Sequence, residues 1–296
     1  MRIFLTGSAS HLAQALLPKL CAHAEITSII GIDLQASCFA HPEFTHHIAD
    51  IRSPEIVHLM QGCDALVHLA FVVLRGKMDV ATMRDINVYG TQNIFAAARK
   101  AGLARLVHLS SAAVYGSGAH LTESAPMRPL PGFLYGQHKA EVESWLAQKY
   151  PQALRLRPHI ILGPHCQPLL VKLLRQPCYI VLPEPQPRMQ CVHEDDMADA
   201  IIASLFSPAS GPINLAAPGN YSFKEAIAQR HPHPLPMAFG AAKWALNITW
   251  RLTGFGGEPA WLDGIRHTLT LDCSLAKQTL AWQPKFDANA ALASVK

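Results

Sequence analysis

Charged side chains and aromatic rings are both scarce in this chain of 296 residues. Asp, Glu, Lys and Arg make up 16% of the residues and Phe, Trp and Tyr 7%, whereas the apolar residues reach 50%. Low charge with a high apolar content excludes a disordered or collagen-like chain. The 25 Lys and Arg contain no run of five or six basic residues, so nucleic acid is not an expected partner.

The seven cysteines include no C-x-x-C pair. An odd, dispersed set suits reduced thiols in a cytoplasmic protein and predicts neither a disulfide framework nor a metal site. No segment offers the roughly 20 apolar residues of a membrane span, and the apolar stretch after Arg2 is too short for a signal peptide. We therefore expect a cytoplasmic protein without a membrane span.

Short apolar runs alternate with longer helical patterns in the first half of the chain. This alternation is typical of an α/β fold, and it predicts a Rossmann-type, doubly wound parallel sheet. The predicted strands are Arg2–Thr6, Ser28–Asp33, Phe44–Ala49, Ala65–Leu69, Arg105–Ser110, Ala153–Pro158 and Pro212–Ala216. The predicted helices are His11–Ala22, Pro54–Met60, Met83–Ala101, Tyr135–Lys149 and Glu194–Leu205.

Prolines become frequent after Gly163, and they interrupt short apolar pieces. This change predicts an NAD-binding domain over residues 1–163, completed by 190–217. Residues 164–189 and 218–296 would then form a small, loop-rich, substrate-binding region.

Glycine is nearly missing from the turn after the first strand, where dinucleotide-binding proteins carry a glycine-rich loop. In Thr6-Gly7-Ser8-Ala9-Ser10-His11-Leu12-Ala13 only Gly7 is glycine, and Ser10 and Ala13 stand where the second and third glycines would fall. Such a turn brings backbone N–H groups and a helix N-terminus to a pyrophosphate. An ordinary strand-to-helix corner is an equally good interpretation of this loop taken alone.

Asp33 ends the second predicted strand about 20 residues after the loop, the offset at which a carboxylate accepts hydrogen bonds from the adenosine ribose. Its charge would repel a 2′-phosphate, and Leu34 and Gln35 supply no neutralising guanidinium. The pattern therefore favours NAD over NADP. Asp50 is a candidate hydrogen-bond partner for the adenine, with a solvated turn as its alternative.

Tyr135 and Lys139 lie one helical turn apart, on one face of a predicted helix. An ammonium close to a phenol stabilises the phenolate, so Lys139 would lower the pKa of Tyr135 toward the neutral range. Ser111 follows a predicted strand at the edge where open α/β sheets bind ligands, and its hydroxyl could hold a substrate oxygen. Capping or turn chemistry is the alternative role of Ser111.

The chain resembles the extended short-chain dehydrogenase/reductase family, also called NAD-dependent epimerase/dehydratases. The resemblance rests on the Gly7 loop, Asp33, His68-Leu69-Ala70, Asn87 to Thr91, Ser110 to Gly116, Tyr135 to Lys139, Arg157-Pro158 and the segment Val192 to Ala198. It implies a catalytic triad of Ser111, Tyr135 and Lys139, with Asn87 helping to order a proton-relay water. It also implies an NAD cleft lined by Gly7, Ser10, His11, Leu12, Ala13, Asp33, Asp50, Ile51, Leu69, Ala70, Tyr135, Lys139 and Pro158.

Two positions depart from the sugar-nucleotide members of the family. Ile160 stands where those members carry an Asn, and Arg188 lies one residue before the expected phosphate-pairing Arg, where this chain has Met189. We therefore expect NAD-dependent hydride transfer at a secondary alcohol or ketone of a small, partly apolar molecule. The alternatives are a nucleotide-sugar epimerase or dehydratase that retains NAD, and a catalytically silent dinucleotide-binding regulator.

A helix is predicted around Ala241–Leu252, with Lys243, Asn247 and Arg251 on one face and apolar residues on another. It would form a lid over the substrate, or else a membrane-surface patch or a lining for a lipid-like substrate. The stretch from His231 to Pro234 is predicted as an extended loop without a metal. The expected partners are a small-molecule substrate and a second copy in a homodimer.

Overall fold

The structure of the protein is a computed structural model that describes residues 1–74, 76–254 and 260–296. Seven parallel strands form its central sheet, in the order β11-β7-β5-β4-β1-β2-β3. These strands are β1 (Arg2–Thr6), β2 (Ser28–Asp33), β3 (Phe44–Ile48), β4 (Ala65–His68), β5 (Arg105–Leu109), β7 (Leu154–Pro158) and β11 (Gly211–Leu215). The predicted fold class is confirmed, and the predicted strands end within one residue of the observed ones.

The order of the strands reverses at β1, because β2 and β3 lie on one side of it and β4 on the other. In open α/β sheets, ligands bind at such a switch point, beyond the carboxyl ends of the strands. The last residues of β1 and β4 are paired there, since Thr6 lies opposite His68. This edge of the sheet is therefore where a functional site is expected.

Helices cover both faces of the sheet. One face packs against α1 (His11–Cys21), α7 (Glu194–Phe206) and α11 (Ser274–Leu280), and the other against α2 (Ile56–Leu59), α4 (Thr91–Lys100) and α5 (Leu134–Lys149). The inner strands are buried on both sides, which explains why they read as continuous apolar runs, whereas the edge strand β3 is partly exposed. Residues such as Ile3, Phe4 and Leu5 are fully buried.

The helix predicted to begin at Met83 begins earlier, because its cap was missed. Asp79 accepts a hydrogen bond from Thr82 N at 2.9 Å and starts α3 (Val80–Arg84). A π-helical turn, Asp85–Gly90, then joins α3 to α4 without a break. Asp79 is an ordinary N-cap residue, so the missed start was readable in the sequence.

Smaller elements flank the carboxyl edge of the sheet. Three parallel strand pairs form from β6 (Gly118–Leu121) with β13 (Leu269–Leu271), β8 (Ile160–Leu162) with β10 (Cys191–His193), and β9 (Cys178–Val181) with β12 (Leu235–Ala238). The remaining helices are α6 (Pro168–Arg175), α8 (Phe223–Ala228), α9 (Phe239–Thr253), α10 (Ala260–Gly264) and α12 (Ala288–Ala293). The Pro-rich segment thus contains more regular structure than its composition suggests. The two-domain division stays a prediction.

The terminal amphipathic helix is observed as α9, whose only buried residue is Ala242. Trp244 and Leu252 are exposed to 68% and 72%, so its apolar side faces outward over most of its length. Within the described ranges, no helix combines the length and the apolar character needed to cross a membrane. The role of this helix as a lid stays a prediction.

Burial strongly lowers the pKa of three of the five buried histidines. Burial lowers the pKa of His68 to about 3 and that of His159 to about 4, and it lowers the pKa of His108 well below its ordinary value. The ring of His68 lies between two hydroxyls, Thr6 Oγ1 at 2.7 Å and Thr91 Oγ1 at 2.9 Å. Neither ring nitrogen of His108 has a hydrogen-bond partner among the described residues. All three imidazoles are therefore neutral in the folded protein at neutral pH.

We expect the free energy of unfolding to be greatest above about pH 6.5, the ordinary pKa of a histidine, and to fall as the pH drops toward 4 and then 3. The unfolded chain binds protons that the folded chain cannot, which costs about 1.4 kcal/mol per pH unit for each buried histidine. Urea unfolding at a series of pH values measures this slope. The His108→Leu variant should lose one histidine's share of the slope, whereas the exposed control His58→Asn should keep all of it. An equal slope in wild type and His108→Leu would contradict the account.

Candidate functional site

The turn after β1 crosses the end of β4 so closely that it requires glycine. Gly7 has φ of +73°, and a Cβ placed on it would lie 2.7 Å from Ala70 N and 3.0 Å from the carbonyl carbon of Leu69. Both the backbone conformation and the lack of space exclude another residue there. Gly7, Leu69 and Ala70 therefore lie together at the switch point, and their place in an NAD cleft stays a prediction.

The other two glycine positions of the loop carry side chains that the fold accommodates. Ser10 is the N-cap of α1, and its Oγ accepts a hydrogen bond from Ala13 N at 3.3 Å. Ala13 is fully buried under the helix, next to Leu12, while His11 is exposed. The substitutions that depart from the glycine pattern thus stabilise the start of α1, whose N-terminus still points at the carboxyl edge of the sheet.

Asp33 ends β2 beside this loop. Its carboxylate accepts hydrogen bonds from Ala9 N and Gln35 N, both at 3.1 Å. The carboxylate, the α1 N-terminus and the Gly7 turn form one concave corner, which fits the ribose and pyrophosphate of a dinucleotide. The residues present therefore fit the cofactor that the sequence pattern implies.

Asp50 lies at the end of β3, with its carboxylate already engaged. Arg52 donates to it from its backbone N at 2.9 Å and from its guanidinium at 2.6 to 3.1 Å, and these bonds hold the pKa of Asp50 below its ordinary value. Arg52 also contacts Asp85 at 2.8 Å. The neighbouring Ile51 is buried. The adenine contact of Asp50 stays a prediction, since this structure pairs Asp50 with arginine.

Ser111, Tyr135 and Lys139 come together beyond the end of β5. Tyr135 and Lys139 lie one turn apart on α5, and Ser111 hydrogen-bonds with Tyr135. Burial raises the pKa of Tyr135 above its ordinary value, and the Ser111 hydrogen bond acts in the opposite direction. Ser111 Oγ also accepts from Ala113 N at 3.1 Å, so its predicted capping role and its place in the site coexist.

Lys139 is buried and makes two contacts of its own. Its Nζ donates to Leu109 O and lies 3.5 Å from the centre of the Phe71 ring. Burial lowers the pKa of Lys139 well below its usual range, against the opposing influence of Glu143. The Nζ is 5.8 Å from the centre of the Tyr135 ring. A lowering of the Tyr135 pKa by Lys139 stays a prediction, because burial dominates in this structure.

Three aromatic rings surround Tyr135, and the sequence analysis did not single them out. Phe71 and Phe133 each lie 5.7 Å from it between ring centres, and Trp261 lies 5.8 Å away in a near-parallel stack at 29°. Phe133 also contacts Trp261 edge to face at 4.8 Å. We call Phe71, Phe133 and Trp261 the aromatic wall. These residues come from three distant segments, so no local motif could have revealed the wall.

A buried ion pair holds α5 against the sheet. Glu143, one turn after Lys139, accepts bidentate hydrogen bonds from Arg157. Nε donates to Oε1 at 2.8 Å, and Nη2 donates to Oε2 at 2.6 Å. Glu143 also accepts a hydrogen bond from Ser110 on the strand that leads to Ser111. Arg157 donates further to Tyr115 Oη at 2.7 Å. Glu143 and Arg157 lie on different elements, so no spacing within one element could have predicted this pair.

Two further predicted site residues, Asn87 and Pro158, have partners elsewhere in the fold. The side chain of Asn87 is fully buried and pairs with the Val72 backbone, accepting from its N at 2.7 Å and donating to its O at 3.0 Å. It thereby fixes the segment that carries Phe71. Pro158 ends β7, paired with Leu215. The role of Asn87 in ordering a water stays a prediction.

The residues that depart from the sugar-nucleotide pattern, Ile160, Arg188 and Met189, are all held within the protein itself. The Arg188 guanidinium is engaged, with Nε on Asn220 Oδ1 at 2.8 Å, Nη1 on Glu225 Oε1 at 2.9 Å and Nη2 on Asn220 O at 2.9 Å. Met189 is buried and bridges to Tyr221. Ile160 begins β8. None of these three residues offers a free cationic group to an anionic ligand.

The family model described as the NAD dependent epimerase/dehydratase family matches residues 3–216. Among curated proteins, an uncharacterized protein of Mycobacterium tuberculosis is 28% identical over 315 residues, which cover 96% of this chain and 80% of that protein. The Escherichia coli N-acetyl-alpha-D-glucosaminyl-diphospho-ditrans,octacis-undecaprenol 4-epimerase is 30% identical over 182 residues, which cover 59% of this chain and 53% of that enzyme.

Solved structures share the fold along their full length. MoeE5, in complex with UDP-glucuronic acid and NAD, has a TM-score of 0.78 at 19% identity, with 100% of this chain and 97% of that chain covered. DesIV, a dTDP-glucose 4,6-dehydratase from Streptomyces venezuelae with NAD and TYD bound, has a TM-score of 0.78 at 21% identity, with 99% and 95% covered. At these identities the likeness shows the fold.

We expect Glu143→Gln to lower the free energy of unfolding by about 3–5 kcal/mol, because it leaves the buried Arg157 charge uncompensated. Urea denaturation at neutral pH measures the loss. The matched control is Glu141→Gln on the same helix, whose exposed pairing with Arg84 is worth at most about 1 kcal/mol. Equal losses in the two variants would show that the buried pair does not hold α5.

Proposed function

Because the chain belongs to the NAD-dependent epimerase/dehydratase family, we propose that it binds NAD and transfers a hydride at a secondary alcohol or ketone. The observation that carries the proposal is the partly buried Tyr135, hydrogen-bonded with Ser111 and one turn before the buried Lys139, at the ligand-binding edge of the sheet. A phenol, a hydroxyl and an amine in this arrangement suit proton transfer to or from a substrate oxygen.

The corner around Gly7 would hold the dinucleotide. The N-terminus of α1 faces the pyrophosphate, and Asp33 accepts hydrogen bonds from the adenosine ribose. The Asp33 carboxylate opposes a 2′-phosphate, so NAD binds in preference to NADP. NAD supplies the hydride acceptor, or as NADH the hydride donor, once it is bound.

The chain's own residues would handle the proton and the orientation of the substrate. Tyr135 holds its proton at neutral pH, because burial raises its pKa, and donates it to the oxygen of a ketone during reduction. Ser111 donates a hydrogen bond to the same oxygen and orients it. Lys139, on the same helix face, would hold the nicotinamide ribose. Its ammonium would also stabilise the phenolate form of Tyr135.

The surroundings of Tyr135 support an uncharged, partly apolar substrate. The aromatic wall supplies apolar contact area, and Arg188 is bound to Asn220 and Glu225. A diphosphate pressed against apolar side chains would lose roughly 1–3 kcal/mol for each hydrogen bond left unmade. The substrate we propose is therefore a hydrophobic alcohol or ketone that is oxidised or reduced with net turnover of NAD.

A second candidate is an epimerase or dehydratase that retains its NAD and acts on a sugar diphosphate. The activities of the similar proteins favour it, since these proteins include a diphospho-undecaprenol sugar 4-epimerase and a dTDP-glucose 4,6-dehydratase. A silent dinucleotide-binding regulator is the remaining alternative. The cytoplasmic location and the homodimer stay predictions alongside these.

We expect Tyr135→Phe to lower turnover at least about 100-fold while NAD binding stays nearly unchanged, because it removes one proton donor and almost no volume. Initial rates and calorimetric titration of NAD measure the two effects separately. Tyr89→Phe is the control, since Tyr89 is half-exposed and bonds to Arg84. Parallel losses of turnover and binding would argue against a proton-transfer role for Tyr135.

NAD is expected to bind more tightly than NADP to the wild type, and Asp33→Ala to narrow or reverse that preference. Asp33→Asn separates the effect of the negative charge on the 2′-phosphate from the effect of the hydrogen bond to the ribose, because it removes the charge and keeps an acceptor for the ribose. Titration of both cofactors against the three proteins provides the measurement. A wild type that prefers NADP, or that binds neither cofactor, would refute this assignment.

A panel of substrates tests the proposed function itself. UDP- and dTDP-sugars are compared with hydroxysteroid-like and small apolar ketones, while NADH absorbance and product stereochemistry are followed together. We expect stoichiometric consumption of NADH with an apolar ketone. Inversion of a nucleotide sugar without net change in NADH would overturn the proposal in favour of the second candidate, and inactivity with every compound despite NAD binding would favour the silent regulator.

A further inference from the structure

Three metal-ligating side chains meet at the end of the sheet opposite the proposed NAD corner. Cys21 is the last residue of α1, and His41 and Glu43 lie just before β3. Their ligand atoms, the Cys21 thiol sulfur, a His41 ring nitrogen and a Glu43 carboxylate oxygen, all lie within 4.8 Å of one another. We propose that Cys21, His41 and Glu43 form a zinc-binding site that fastens the segment before β3 to the end of α1.

A second observation points to a ligand here. Glu43 Oε2 is buried and has no hydrogen-bond partner among the residues that the structure describes. A buried carboxylate oxygen without a partner is costly, and a coordinated cation is one of the few groups that removes the cost. Glu43 is at the same time held in place by its backbone, since its O accepts from Ile29 N at 2.7 Å.

The orientation of His41 also suits coordination. Its Nδ1 accepts a hydrogen bond from Glu43 N at 3.3 Å, so this nitrogen carries the lone pair of the neutral ring and Nε2 carries the proton. Zinc would take the Nδ1 lone pair in place of this long hydrogen bond, and the Nε2 proton would remain to be donated to solvent, as the second ring nitrogen of a histidine ligand commonly donates. In a tetrahedral zinc site the ligand atoms are about 3.4–3.8 Å apart, so they need to approach by about an ångström. His41 is exposed, in the loop after β2, and can supply that movement.

The charges favour a doubly charged cation. A Cys21 thiolate and the Glu43 carboxylate carry two negative charges, and neutral His41 carries none, so Zn²⁺ makes the centre neutral. Coordination replaces the Cys21 thiol proton, which is released to solvent. The ion also lies at the C-terminal end of α1, where the helix dipole attracts a cation. The mixture of thiolate and imidazole selects zinc rather than magnesium or calcium.

Three protein ligands leave the fourth tetrahedral position to water. The site is far along the chain from the residues proposed for catalysis, and β3 is the edge strand of the sheet, paired with β2. We assign the zinc a role in holding these elements together and none in the proposed reaction. It joins the two segments that flank β2 and limits fraying of the sheet edge. No sequence motif indicates the site, because Cys21 stands 20 residues before His41 and the three ligands match no zinc-motif spacing.

The test is titration of the metal-free, full-length protein with Zn²⁺ and, separately, Mg²⁺ by calorimetry. We expect one zinc per chain, a higher melting temperature with zinc and no response to Mg²⁺. Zinc affinity should fall at least tenfold in Cys21→Ser, His41→Asn and Glu43→Gln. It should be unchanged in Cys178→Ser and His58→Asn, which alter a partly buried thiol and an exposed imidazole outside the cluster.

Cobalt provides a readout that does not depend on the variants. Co²⁺ bound to wild type should give the near-ultraviolet charge-transfer band of a thiolate ligand, lost in Cys21→Ser and kept in Cys178→Ser. Three outcomes would overturn the proposal: no zinc binding, zinc affinity that persists in Cys21→Ser or falls equally in the controls, or a cobalt complex without the thiolate band. Each stands apart from the NAD experiments, whose failure would leave the zinc result unaffected.

Discussion

The buried pairing of Glu143 with Arg157 is the constraint on which the site geometry depends. It fastens α5, the helix that carries Tyr135 and Lys139, to β7, and the Ser110 hydrogen bond ties the same carboxylate to the strand that leads to Ser111. An ion pair of this kind adds little net stability but tolerates only one arrangement of its partners. The positions of the phenol, the amine and the hydroxyl therefore follow from a single carboxylate.

The proposed cofactor site and the proposed proton donor lie at the same edge of the sheet. The Gly7 turn and Asp33 form the cofactor corner, and Tyr135 packs against the aromatic wall. Asn87 holds the segment between them in place, since it pairs with the backbone of Val72, which directly follows Ala70 and Phe71. Ala70 lies against Gly7 and Phe71 lies against Lys139, so this short segment touches both the cofactor corner and the amine.

The sequence predicted what is local and periodic. The strands, the switch point, the close fit at Gly7 and the spacing of Tyr135 and Lys139 all follow from patterns within one element or one turn. The aromatic wall, the engagement of Arg188 and the Cys21 cluster join residues from distant segments, which only the folded chain brings together. The direction of the Tyr135 pKa shift is a similar case, because it depends on burial in the folded chain rather than on the helical spacing of Lys139.

The most direct test of the central claim follows a deuterium atom. NADH labelled at carbon 4 of the nicotinamide is incubated with the protein and an apolar ketone, and the product is analysed by mass spectrometry. The account predicts that the deuterium of the transferred position appears on the new carbinol carbon, one atom per molecule of NADH consumed. A product alcohol without deuterium, formed while the label stays in the cofactor, would contradict it.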